Sequence, residues 1–196
     1  NEYRVTITAK DRVYLDQLWA AIGFRGGISK KRNGTGLISH QLQIGSKQLY
    51  MRLLGIGLTP RESLTLGPLR VPDVWFKDFL RGVIDGDGNI RSWRHPTNGR
   101  EQWVVRISGA SEPFLRWVQQ SAQSLWRVKG VLHRHADVSG KRHPIYTLKY
   151  GKIAAKVILP ESYYPNALAL DRKAKLAAQC ATTPVGCILL PFKTWA

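Results

Sequence analysis

Phe79-Leu-Arg-Gly-Val-Ile-Asp-Gly-Asp-Gly88 carries more structural information than any other stretch of this chain. Pro72 and Asp73 mark a helix start, Phe76 to Ile84 are mostly apolar, and Gly86 and Gly88 stop the helix. Two carboxylates, Asp85 and Asp87, therefore fall at a helix C-terminus. The macrodipole disfavours an anion there by about 0.3–1 kcal/mol each, so a cation is expected to offset them. Gly82 and Gly86 lie one turn apart and leave one helical face bare, which lets a second helix approach with its backbone close by. No ligand series with a closing Glu follows the run, which excludes an EF-hand. Taken alone, such a run also suits a turn that merely ends a helix.

Working outward, Val71 to Trp93 reads as that helix plus a following strand. Trp103-Val-Val-Arg-Ile-Ser108 is a strand, Ser111 to Trp126 a helix, and Gly130 to His135 and Tyr146 to Tyr150 are strands. Lys152 to Leu159 is a helix, and Leu170-Asp-Arg-Lys-Ala-Lys forms a tail. The same order is present about 100 residues earlier. Tyr3 to Ala9 alternates, with Tyr3, Val5 and Ile7 on one face and Arg4, Thr6 and Thr8 on the other. Asp11 then starts a helix carrying Tyr14, Leu15, Leu18, Trp19 and Ile22 and ending at Gly23. Ile28 to Arg32 and His40 to Ile44 are strands, and Ser46 to Leu54 is a short helix capped by Gly55. Two halves follow, 1–70 and 71–196, each read as strand, helix, two strands, helix. The second has the motif helix and a strand in addition; for the first, upstream sequence or another chain is expected to supply that piece.

Thirty Lys and Arg against thirteen Asp and Glu give a net charge of +17, so the partner expected is a polyanion, nucleic acid first. The basic residues are spread along the whole chain, which disfavours a membrane surface, and no apolar run is long enough to span one. A soluble, intracellular protein is expected, in a prokaryotic cytoplasm or an organelle. With 196 residues, 43% hydrophobic, the chain can build a real core. Cys180 and Cys187 lack partners at zinc-ligand spacing and read as ordinary thiols.

The acidic stretch resembles the LAGLIDADG motif of homing endonucleases, and through the repeat the resemblance extends over nearly the whole chain. It implies an α+β fold of two pseudo-symmetric αββαββα-type half-domains, each a saddle-shaped antiparallel sheet with helices on one face, paired through their motif helices. It further implies that the last acid of the motif, Asp87, holds a divalent metal, with the Gly86 carbonyl as auxiliary ligand. Hard oxygen donors suit Mg2+, and Mn2+ or Ca2+ could occupy the same place. A basic residue near the phosphate is placed by the family pattern in the pair Arg172-Lys173, with Lys173 stabilising the charged transition state or orienting water; the plain alternative is a solvated lysine on a cationic helix. In the first copy the matching position is Glu62, a departure from the basic residue expected.

The partner implied is double-stranded DNA, met by the sheet faces opposite the helices. Packing Trp103, Val105 and Ile107 inward turns Arg100, Gln102, Val104 and Arg106 outward, and the same alternation selects Asn89, Arg91 and Trp93. His133, His135, Thr147 and Lys149 join them, and in the first half Arg4, Thr6, Lys30, Arg32, Gln41 and Gln43. Arg suits guanine, Gln suits adenine, and Lys or Thr serves base edges or phosphates. Any one of these alone reads equally as a solvated strand face. The hairpin loops His95 to Arg100 and Asp137 to His143 are placed to reach flanking phosphates or to serve as polar turns. The activity implied is Mg2+-dependent hydrolysis of phosphodiester bonds at a long pseudo-palindromic site. A splicing maturase or a DNA-binding regulator is the alternative left open by one acidic motif and Glu62. The C-terminus lacks the His-Asn expected of an intein.

Overall fold

The computed structural model describes residues 3–23, 27–32, 36–60, 63–136 and 143–183. In the first half, β1 (Arg4–Ala9) leads into α1 (Arg12–Ile22), followed by β2 (Gly27–Arg32), β3 (Ile38–Gly45) and α2 (Lys47–Gly55). The strands form one antiparallel sheet in the order β1-β3-β2. Asp11 caps α1, its carboxylate accepting from the Val13 and Tyr14 amides at 3.0 and 3.3 Å, and Gly23 ends it at φ 70°. Ser46 caps α2 through the Leu49 amide. That helix runs through Gly55 instead of stopping before it; the left-handed residue that turns the chain away is Gly57, at φ 101°. Leu15, Leu42 and Ile44 are the buried residues of this half's core cluster.

The second half opens with a 3-10 turn at Asp73–Trp75 and continues into α3 (Phe76–Asp87), which passes without a loop into β4 (Gly88–Arg94). A Cβ at position 88 would stand 2.6 Å from the Ile84 backbone, so only glycine allows so abrupt an exit. There follow β5 (Glu101–Gly109), α4 (Glu112–Trp126), β6 (Val131–His135), β7 (Ile145–Tyr150), α5 (Lys152–Ser162) and α6 (Asp171–Thr182). The sheet order is β4-β5-β7-β6, antiparallel throughout. Helix α5 continues through Pro160 past the expected end at Leu159: a proline this close to the terminus removes one donor while the Tyr163 amide still closes on the Leu159 carbonyl at 2.8 Å.

Phe76, Leu80 and Ile84, at helical i, i+4 spacing, bury one stripe of α3 among Ile90, Trp103, Val105 and Ile107. Each fully buried Leu or Ile there contributes about 1.5–3 kcal/mol. Phe76 and Phe79 meet the Trp117 ring of α4 edge-on, at centroid distances of 5.9 and 5.3 Å. Cys180 is buried in this core as a free thiol, its pKa pushed up to about 11 by burial; Cys187 lies outside the described residues. Two antiparallel sheets with their helices thus realise the expected α+β class, and strand, helix, strand, strand, helix occurs twice. The Ser111 hydroxyl joins the second half to the first by donating to the Leu66 carbonyl, and the Arg70 amide, donating to the Ile56 carbonyl at 2.8 Å, holds the connecting segment against the end of α2. Among the described residues no helix is long and apolar enough to cross a membrane.

Candidate active site and nucleic-acid interface

At the end of α3 the two aspartates have opposite fates. Asp85 is 4% exposed; Tyr163 Oη donates to one of its oxygens at 2.8 Å and the Leu170 amide to the other at 3.1 Å. Burial raises its pKa, and those two donors, with Lys173 and Arg81 nearby, pull it partly back. Both oxygens are engaged, so Asp85 ties the end of α3 to Tyr163 and Leu170. Asp87, the last residue of α3, is exposed, as is Gly86 beside it.

Lys173 supplies the cation that the helix end required. It is 2% exposed, and its ammonium donates to the carbonyls of Ile84, Asp85 (2.8 Å) and Gly88 (2.9 Å). These are C-terminal carbonyls of α3 and the first of β4, where a cation is favoured by the macrodipole. Burial, and after it Arg172, lowers the amine's pKa to about 8, while Asp85 and Asp87 act to raise it. A solvated lysine is thereby ruled out at this position. Arg81 fastens the same helix to the segment before α6: Nε donates to the Leu168 carbonyl at 2.8 Å and Nη1 to the Ser162 carbonyl at 2.9 Å, with Asp78 paired at 2.8 Å. Sequence patterns alone missed Arg81 and Tyr163, because their partners lie far along the chain.

A cavity of about 540 Å3 opens beside this helix end, with Thr8 to Asp11 of the first half on one wall and Asp85, Gly86, Leu170 and Arg172 on the other. Asp85 engages both carboxylate oxygens in the bonds already described, whereas Asp11 uses Oδ1 alone. Among the described residues no three His, Cys, Asp or Glu side chains cluster as a metal cage. A single exposed carboxylate with a neighbouring backbone carbonyl suits instead a hard divalent ion that keeps waters and takes substrate phosphates, as Mg2+ does. A Cβ at Gly82 or Gly86 would meet nothing within 4 Å, so the bare face of α3 is open among the described residues.

Strand register sorts the outward faces. In the second sheet Asn89 pairs with Arg106, Arg91 with Val104 and Trp93 with Gln102, all opposite the Ile90, Val105 and Ile107 side. Arg106 also pairs with Lys149, Ser108 with Thr147, His133 with Thr147 and His135 with Ile145, so these expected positions share one face; Arg100 extends its parity into the adjoining turn. Ser108, which bonds Thr147 at 3.0 Å, is an addition. Val104 shares that face but is 1% exposed, a short side chain on an inner strand between longer neighbours. In the first sheet Arg4 and Thr6 share a face with Gln43 and Gln41 as expected. Lys30 and Arg32 do not: they pair with His40 and Ile38 on the side of Ile28 and Leu42, while Ser29 and Lys31 pair with Gln41 and Ser39. The signal was present in Ile28, the apolar residue of β2, whose inward packing sets the parity. Glu62 and residues 137–142 of the second hairpin loop lie outside the described residues.

The architecture is the LAGLIDADG homing-endonuclease fold. It is shared with the homing endonuclease I-WcaI bound to its DNA recognition sequence, at TM-score 0.59 and 8% identity, covering 89% of this chain and 74% of that one. I-DmoI in complex with DNA and Ca matches at TM-score 0.56 and 19% identity, covering 89% and 83%. Full-length DUF199/WhiA from Thermatoga maritima matches at TM-score 0.52 and 13% identity over 95% of this chain, which spans 56% of that protein. No protein-family model matches the sequence, and no curated protein does.

Proposed function

We propose that this chain is a site-specific, intracellular DNA-binding protein of the homing-endonuclease kind, hydrolysing phosphodiester bonds with a divalent metal at a long pseudo-palindromic site. The observation that carries it is the division of labour at the end of α3, where Asp85 is wholly satisfied inside while Asp87 is left exposed on a firmly held turn. Asp87 and the Gly86 carbonyl would hold Mg2+, with Mn2+ or Ca2+ able to use the same donors. When bound, such an ion neutralises charge at the phosphate and lowers the pKa of a coordinated water. The chain's own residues bind and orient DNA: Arg106, Gln102, Arg91 and Asn89 read base edges from the second sheet, and Arg4, Thr6, Gln41 and Gln43 from the first. A basic partner for the phosphate comes from the pair Arg172-Lys173. A second motif helix, from upstream sequence or another chain, packs on the Gly82–Gly86 face; Trp75, 61% exposed at the head of the same helix, offers it apolar surface.

The test is cleavage of a DNA library by the protein in Mg2+, with Asp87→Asn beside it. Cutting that falls by about a thousandfold in the variant, with binding intact, is the expected result. Tight binding without cutting in Mg2+, Mn2+ or any other divalent metal would sink the nuclease. One observation favours that second reading, a binding protein without cutting activity: α3 is the one helix among the described residues that ends in paired acids. Preference for folded RNA over duplex DNA in competition binding would identify a splicing maturase. For either polyanion, affinity should fall with salt at a log–log slope of about −9 if some ten phosphates are neutralised.

A further inference from the structure

We propose that Lys173 is a positioning residue that sets the Gly86–Asp87 turn, and that Arg172, its neighbour in sequence, is the cation that touches the phosphate. This rests on the nuclease reading above and assigns the roles within its basic pair. An ammonium has three N–H donors, and all three of Lys173 are taken by the carbonyls of Ile84, Asp85 and Gly88. Those carbonyls flank Gly86 and Asp87 on both sides, so one buried cation holds the peptide on either side of the candidate ligands. Reaching a phosphate would require Lys173 to abandon a buried carbonyl, which costs about 1–3 kcal/mol per group left unpaired.

Arg172 is placed differently. It is exposed in the first turn of α6 and lines the cavity that also holds Gly86. Of the acids on the walls of that cavity, Asp85 has both oxygens bonded, to Tyr163 and Leu170, and Asp11 caps α1 through Oδ1. Arg172 on one wall and Lys10 on the other are the cations that line the cavity. An exposed guanidinium beside Gly86 can grip two phosphate oxygens at once.

Two measurements separate the roles: Tb3+ binding to the DNA-free protein, read by tryptophan-sensitised luminescence, and single-turnover cleavage of a library-selected duplex across a Mg2+ titration. Lys173→Met should weaken Tb3+ binding and raise half-saturating Mg2+ about tenfold, with the rate at saturating metal within about threefold, as loss of a residue supporting a ligand does. Lys173→Arg should recover part of the Tb3+ affinity. Arg172→Ala should leave Tb3+ affinity within about twofold and cut the maximal rate about a hundredfold. Val118→Ala, destabilised in the core away from the turn, should leave Tb3+ affinity unchanged, which separates positioning from a general loss of stability. Arg172→Ala cutting at the unsubstituted rate would overturn the assignment, and so would Lys173→Met losing maximal rate with Tb3+ affinity intact. Should Lys173→Met fail to fold, the Arg172→Ala result decides. An unsubstituted protein that neither binds Tb3+ nor cuts in any metal removes the nuclease reading and this inference with it; one that cuts while the variants exchange effects removes the inference alone.

Discussion

Both halves of the molecule run strand, helix, strand, strand, helix, yet they are not equally built. The first buries Leu15, Leu42 and Ile44 under a three-stranded sheet, with Val5, Ile7, Tyr14 and Leu18 only partly covered. The second buries a cluster running from Phe76 to Cys180, drawing on α3, β4, β5, α4, β7, α5 and α6. The difference lies in how much apolar surface closes over the inner face of each sheet. Helix α3 lays Phe76, Leu80 and Ile84 across the second sheet, whereas α1 commits Leu15 fully and leaves Trp19 40% exposed. Stability and the candidate chemistry therefore concentrate in the same half: the helix that completes the core is the one that ends in Asp87.

The contrast can be broken by mutation, starting with the largest effect. Leu80→Ala should cost about 3–5 kcal/mol in urea unfolding, against about 2–3 kcal/mol for Leu15→Ala. Hydrogen exchange should show the second loss confined to residues 3–58, because local openings follow local burial. Equal losses in one cooperative transition would mean that the halves fold as a single unit. Next comes Asp85→Asn, which sets an amide NH2 against a donor, either the Leu170 amide or Tyr163 Oη, and should cost about 2 kcal/mol. The pH dependence has a definite sign. Burial holds the Asp85 pKa above its unfolded value, so its contribution is full below about pH 4 and is lost as pH rises through the raised pKa. Asp85→Asn should flatten that part of the stability profile; an unchanged slope would place the titration elsewhere.

Smaller effects probe the two sheet faces. Arg106→Ala should weaken DNA binding by about 1–3 kcal/mol if it reads a base edge. In the first half Lys31→Ala should weaken binding by about 1 kcal/mol, and Lys30→Ala by less than half of that, measured by fluorescence anisotropy at fixed salt. A reversed order for the two lysines would contradict the register of β2 on β3.

Much of this was legible in local sequence. Asp11, Ser46 and Ser111 announce helix starts because a short polar side chain can serve amides two or three residues ahead. Gly23 announces an end because φ 70° is costly for other residues. The outward face of β5 followed from Trp103, Val105 and Ile107, since one face of a strand fixes the other. In β2 two lysines and an arginine obscure the one apolar residue, and only the register against β3 shows that Lys30 and Arg32 share the side of Ile28. The ends of α2 and α5 moved by a few residues because neither Gly55 nor Pro160 breaks a helix from within its last turn.

By itself the sequence determined what depends on near neighbours: the periodicity of each element, the caps, the doubled order and the demand for a cation at the end of α3. Only the tertiary structure decided which cation answers and which acid is withdrawn, because the bonds that settle it join residues 78 to 89 positions apart. Lys173 belongs by composition to a charged, solvent-loving helix; it is buried because α6 brings it beside the carbonyls of Ile84, Asp85 and Gly88, which take its three donors and offset part of the cost of drawing the charge out of water.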